Sequence, residues 1–183
     1  MNEIKNTDFS VVRLDSVEYE DCRFINCNFS QVSLNNISFI ECSFEDCNFS
    51  MASLNGTTLN DVVFKGCKMV GIDFSQCNQF ILSFQFANCQ MNVASFFKMK
   101  LKSMNFDNCE LKEVDFVECD LSGSTFNNCD LTAAVFDRTN LEKVDFRTAH
   151  GYAFDPDLNK IKKAKFSIQG SVGLLSKYDI ILD

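Results

Sequence analysis

The stretch CRFINCNFS at 22–30 returns twenty residues on as CSFEDCNFS at 42–50, each with two cysteines five apart. Cysteine is the residue type with the most chemistry to offer here. Ten occur in 183 residues, at 22, 27, 42, 47, 67, 77, 89, 109, 119 and 129. Four converging thiolates would hold zinc, and thiols at the right separation and angle would form disulfides. A lone imidazole, His150, with Asp155 or Asp157 as its partner, is the other constellation that could move a proton. Each of these chemistries needs convergence, so the elements that carry the residues decide among them.

Those elements repeat every five residues. Steps of five from Phe9 reach Leu14, Tyr19, Phe24, Phe29, Leu34, Phe39, Phe44, Phe49, Leu54, Leu59, Phe64, Met69 and Phe74. From Phe86 they reach Met91, Phe96, Leu101, Phe106, Leu111, Phe116, Leu121, Phe126, Leu131, Phe136, Leu141 and Phe146, in a frame offset by two. A period of five matches neither a helix nor a flat strand, so the chain must turn at every repeat. With the large residue named i, position i−2 is also inward and smaller. Every cysteine falls at i−2, beside Val12, Val32, Ala52, Ile72, Ala94, Val114 and Ala134.

Composition narrows the classes. The opening MNEIKNTDFS lacks a signal-peptide pattern, and no apolar run approaches a membrane span, so a cytoplasmic protein with free thiols is expected. A net charge of −8 argues against nucleic-acid binding and leaves a basic protein partner open.

The segments CDLSGSTF (119–126), CDLTAAVF (129–136) and TNLEKVDF (139–146) carry a small residue, a polar one, then Leu or Phe. On this pattern the chain resembles the pentapeptide-repeat family. The resemblance implies an all-β solenoid, a right-handed quadrilateral parallel β-helix in which four pentapeptides make one coil. Columns at spacing twenty then follow, with two extra residues placed in a bulge or short loop at 78–86. One column reads Phe24, Phe44, Phe64, Phe86, Phe106, Phe126 and Phe146; another stacks Cys27, Cys47, Cys67, Cys89, Cys109 and Cys129; a third runs Leu14, Leu34, Leu54, Phe74, Phe96, Phe116 and Phe136. About seven coils would make a rod of roughly 33 Å. Neighbouring thiols then lie on adjacent sides of a filled coil, so packing, not zinc or disulfide, is expected of them. No metal, cofactor or small-molecule substrate is expected, and a narrow filled coil offers no catalytic pocket.

The organisation expected is an arm at 1–6, the β-helix at 7–148, and a cap at 149–183. The ending GSVGLLSKYDIILD predicts a short helix around 171–177 and a strand at 179–182. It resembles the tail through which Qnr-type members dimerise, which assigns Leu174, Leu175, Tyr178, Ile180 and Ile181 to a homodimer interface.

Charge is uneven along the rod. One side bears Glu18, Glu20, Asp21, Glu41 and Asp61 with no base in its first half, and Glu45 and Asp46 lie round the next corner. Lys98, Glu118 and Arg138 form an alternating column elsewhere. Resemblance to Qnr-type proteins implies a DNA mimic that binds a type II topoisomerase, DNA gyrase or topoisomerase IV, and modulates it or protects it from quinolones. Duplex DNA carries about one charge per 1.7 Å, so such a rod would need roughly 20 charges to match it. The acidic face, not net charge, would have to carry the imitation. The alternative is a pentapeptide-repeat scaffold with a different protein partner.

Overall fold

A chain with inward residues at i−2 and i must turn between one i and the next i−2. In this computed structural model, which describes residues 2–178, 180 and 181, the turn centres on i+2. There φ is positive, as at Gln31 (59°), Asn36 (59°), Val93 (60°) and Lys98 (60°). At many corners the carbonyl of i also accepts the N–H of i+3, as Phe29 does from Val32 and Phe116 from Cys119, both at 3.1 Å. Positive φ is costly for side chains bearing a Cβ. Bonds between coils offset it: Gln31 N–H donates to Ser50 O and Lys98 N–H to Val117 O, each at 2.9 Å. At Gly66 the positive φ (66°) is what favours glycine, and the Asp46 carboxylate leans into the space that a Cβ would take, 2.2 Å away.

Stacked this way the coils form a right-handed, all-parallel β-solenoid. Its regular strands are β1 (Asn2–Lys5), β2 (Glu18–Glu20), β3 (Cys22–Ile25), β4 (Ser38–Ile40), β5 (Ser43–Glu45), β6 (Thr58–Lys65), β7 (Leu82–Ala87), β8 (Asn105–Asp107) and β9 (Thr125–Asn127). Isolated bridges continue the same ladder between them, such as Gln90↔Glu110 and Ser95↔Asp115. Inside, the phenylalanines stack coil on coil, with ring centroids 4.8 Å apart for Phe24–Phe44 and 4.9 Å for Phe106–Phe126. Rings on neighbouring sides meet edge to face, as Phe116 and Phe126 do. Each ring therefore has both favourable aromatic geometries at once.

The coil runs further than the 7–148 expected. The residues read as an arm form β1, which pairs with β3 from Asn2↔Cys22 to Lys5↔Ile25 and places Ile4 under Phe24. Any backbone can make these bonds, so no repeat signature is needed. At the other end Asp130↔His150, Asn140↔Lys160 and Asp145↔Lys165 keep the ladder, and Phe166 stacks on Phe146 at 5.4 Å.

The end is closed by a 3₁₀ helix at Gly170–Tyr178. It takes the place of the short helix expected at 171–177, and its glycines explain its close seat. A Cβ on Gly173 would lie 2.0 Å from the Tyr152 carbonyl oxygen. Lys177 anchors it, bonding Asp155 at 2.6 Å and also Asp157. Of the strand expected at 179–182, Ile180 and Ile181 have no β pairing, while Asp179 and Leu182 lie outside the described residues.

The two extra residues fall within 78–86. Leu82 pairs with Leu59, twenty-three residues before it, and the register slips between Leu59 and Val62 to the twenty-two-residue offset that holds from Val62↔Phe84 to Phe64↔Phe86. Phe80 is thrown fully into solvent (99% exposed) and Ile81 half out. On the far side β7 pairs with β8 only at Phe86↔Phe106 and Ala87↔Asp107. Between Leu82–Gln85 and Lys100–Asn105 a cleft of about 390 Å³ opens. Phe84 and Met104, side chains larger than the Cys42, Val62, Ser124 and Val144 of the same i−2 column, lie at the two walls of this opening.

Deleting Gln79 and Phe80 would bring Ile81 into the inward column and let the coil close. Ile81 then exchanges places with the half-buried Leu82, so the gain comes from restored backbone bonds, about 2 kcal/mol for two of them, in a chemical-denaturation experiment. An unchanged midpoint would mean that Phe84 and Met104 alone hold the cleft open.

Candidate protein-interaction face

The side whose inward residues are Tyr19, Phe39, Leu59, Leu82, Leu101, Leu121, Leu141 and Ile161 holds the acidic group. In β2, Tyr19 is buried while Glu18 and Glu20 flank it in solvent. Strand alternation puts them there. Asp21, Glu41 and Asp61 occupy successive i+2 corners, at φ 48°, 52° and 52°. The backbone stacks them: Asp21 N–H donates to Ile40 O at 3.1 Å and Glu41 N–H to Asn60 O at 2.8 Å. Asp61 accepts a bond from Ser83 Oγ at 2.9 Å.

Glu45 behaves differently. Its carboxylate is held by Arg23 at 2.7 Å, and Arg23 also reaches Glu3 at 3.1 Å. Hydrogen bonding to that guanidinium holds the Glu45 carboxyl below the usual carboxylate range. Asp46 is exposed at a positive-φ corner above Gly66. The Lys98–Glu118–Arg138 column is paired throughout, at 3.4 and 3.2 Å.

The same face changes sign beyond the break. Past Asp61 the corner column continues through Ser83, Ser103 and Gly123 to Lys143 and Lys163, and Lys100, Lys102, Lys160 and Lys162 project beside it. Asp120 and Glu142 are the acids interspersed there, and Asp120 is paired with Lys102 at 3.3 Å. This lysine end was not among the features expected from the sequence. Counting by twenty through the two-residue slip would have found it.

The thiols are all buried and free of disulfides. Among the described residues nine of them, all but Cys77, donate hydrogen bonds to main-chain carbonyls, as Cys42 does to Tyr19 O at 3.3 Å and Cys119 to Phe96 O at 2.7 Å. Ser124 and Thr139 at the same position make the same kind of bond, to Leu101 O and Phe116 O at 2.8 Å. Small size with a donor therefore explains the residue types at these positions. Burial pushes the thiol of Cys42 up to about 11 and that of Cys119 to about 12, so both stay protonated donors. Among the described residues no group of three or more His, Cys, Asp or Glu side chains is placed to hold a metal ion. His150 is exposed and lies 3.7 Å from Asp130, while Asp155 and Asp157 are bound to Lys177. The proton-transfer pair conceivable from the sequence is thus not assembled.

In the tail, Leu174 packs partly against the core, whereas Leu175, Tyr178, Ile180 and Ile181 are exposed, as is Val172. No helix among the described residues is long and apolar enough to cross a membrane.

The sequence profile described as "pentapeptide repeat region" matches residues 12–96, 37–116 and 99–167. The chain belongs to the pentapeptide-repeat family. No curated protein matches it in sequence. Among solved structures it is similar to HetL from the cyanobacterium Nostoc, a pentapeptide-repeat protein involved in heterocyst differentiation regulation. That match has 16% identity, 92% of this chain, 85% of that one and a TM-score of 0.68. It is also similar to a trypsin-treated variant of QnrB1, a plasmid-mediated fluoroquinolone resistance protein, with 21% identity, 100% and 98% coverage and a TM-score of 0.51. The likeness is one of fold.

Serine at Cys119 keeps a small donor toward the Phe96 carbonyl, whereas valine removes it. Cys119→Ser should therefore be more stable than Cys119→Val by about 1 kcal/mol, the net worth of one hydrogen bond. Equal denaturation midpoints would reduce the thiol to a space filler.

Proposed function

We propose that the protein acts by binding a basic protein surface through its acidic end, and that the partner is a type II topoisomerase, DNA gyrase or topoisomerase IV. The observation that carries this reading is the exposed column of Asp21, Glu41 and Asp61 with Glu18 and Glu20 beside it. Carboxylates held at strand spacing by backbone bonds offer a row of negative charge on a rigid rod, which a groove built for phosphates can accept. Binding would modulate the enzyme or protect it from quinolones. The protein would act by contact, without catalysis.

A second reading rests on the lysine end of the same face. A rod that imitated DNA along its whole length would not turn basic, so Lys143, Lys160, Lys162 and Lys163 favour a scaffold whose partner is itself of mixed charge. A gyrase supercoiling assay, with and without a quinolone, separates the two.

Asp21→Asn, Glu41→Asn and Asp61→Asn together suit a test because asparagine tolerates the positive-φ corner. The triple change should weaken topoisomerase binding about tenfold at moderate salt and reduce the salt dependence, while folding stays intact. Unchanged affinity and an unchanged salt slope would return the column to a solvating role.

Dimerisation belongs to the same proposal, through exposed Leu175, Tyr178, Ile180 and Ile181 with Leu174 bracing them from inside. Truncation after Phe166 should convert a dimer to a monomer or an aggregate by light scattering. A clean dimer after truncation would place that contact elsewhere.

A further inference from the structure

We propose that two copies of the chain pair side by side and antiparallel through the face described above, the acidic end of each lying on the lysine end of the other. Its carboxylates at one end are Glu18, Glu20, Asp21, Glu41 and Asp61; its lysines at the other are Lys143, Lys160, Lys162 and Lys163, all exposed. None of these four lysines has an ion-pair partner among the described residues.

Within one chain the two ends cannot satisfy each other. From Glu20 to Lys162 the face climbs seven coil spacings, about 34 Å, which is several times the roughly 8 Å screening length at physiological salt. A second copy can satisfy both ends at once. A twofold axis lying in the plane of the interface, across the rod and midway along it, sets the coil of Glu18 and Glu20 against that of Lys160 and Lys162, and the coil of Glu41 against that of Lys143. Parallel pairing would set acid on acid. The antiparallel arrangement is self-complementary, as an isologous contact must be.

The middle of the face fits the same operation. The axis passes between the coil that ejects Phe80 and the next, which carries Lys100. Phe80 stands fully in solvent beside a recess of about 300 Å³ lined by Gln79, Phe80, Leu82 and Lys100, adjoining the larger cleft. The ring forms one wall of the recess and Lys100, on the next coil, another, so a twofold axis between these coils sets each copy's Phe80 against the Lys100 side of the other's recess. Lys100, with no ion-pair partner among the described residues, is placed to meet the second copy's Phe80 ring.

The face is small. At up to about 16 Å wide and 34 Å long it offers about 500 Å² per copy, below the about 800 Å² of a standard stable interface. The pairing is therefore weak, reversible and salt-sensitive. It also covers Glu18, Glu20 and Glu41, so self-association and capture of a basic partner compete for one surface.

The test uses full-length protein, half of it 15N-labelled, mixed and treated with a carbodiimide that joins carboxylates directly to amines. Mixed-isotope crosslinks from Glu18 or Glu20 to Lys160, Lys162 or Lys163 are expected at about 50 mM salt, falling about tenfold by about 500 mM. The 34 Å separation within one chain excludes an internal origin. Glu18→Lys with Glu20→Lys and Glu41→Lys should abolish them, as should Lys160→Glu with Lys162→Glu and Lys163→Glu. Mixing the two variants should restore association by sedimentation, which shows that both remain folded. Phe80→Ala should lower the wild-type yield severalfold. Absence of the end-to-end crosslinks, crosslinks confined to the tail, or variants that fail to associate on mixing would overturn the proposal. No topoisomerase is present, so this outcome is independent of the supercoiling result.

Discussion

The structure depends on a turn that must be made at every fifth residue and that no coil can hold without its neighbours. Most corners put a residue at positive φ, and residues as unsuited to it as Val93 and Met51 are found there. They are held because the corner N–H is claimed by the next coil, as Met51 N–H is by Val70 O at 2.9 Å. No coil can be stable alone, since its strained corners are satisfied only by its neighbours. Cooperativity along the rod follows directly, as in other stacked-repeat proteins.

The same constraint governs the interior. A corner leaves room beneath it for a small side chain, and the carbonyl it turns past still has a lone pair to offer. Cysteine fills that room and donates to that carbonyl, as serine and threonine do elsewhere in the rod. An abundance of thiols that looks like metal or redox chemistry in a list of residues is thus a packing solution. The one place where large residues, Phe84 and Met104, succeed each other at this position is also where the coils part.

Because the interior is filled and the corners are committed, function is left to the outward positions, and there the rod behaves as a ruler. Side chains twenty residues apart stand one strand spacing apart, so the sequence can write charge along a straight line. On one face that line begins with carboxylates and ends with lysines. At another corner Lys98, Glu118 and Arg138 alternate in sign and pair with each other. Identical spacing thus produces a row of like charge or an internal brace, depending on whether successive charges match or alternate.

The five-residue period and the inward columns, Phe24 to Phe146 and Cys27 to Cys129, were legible in the sequence because each depends on residue type at a fixed interval. So was the position of the break, because only one placement keeps both columns intact. Other features were decided by the tertiary structure. Asn2–Lys5 and the chain out to Lys165 join the coil through backbone bonds, which leave no trace in residue type. Leu82 rather than Ile81 opposes Leu59, a choice set by how the looped-out chain rejoins its neighbour. Glu45 is lost to the acidic group because its neighbour in space is Arg23, twenty-two residues away. The lysine end of the face emerges only when the column is carried through that slip, since charges share a face by stacking and not by nearness in the chain.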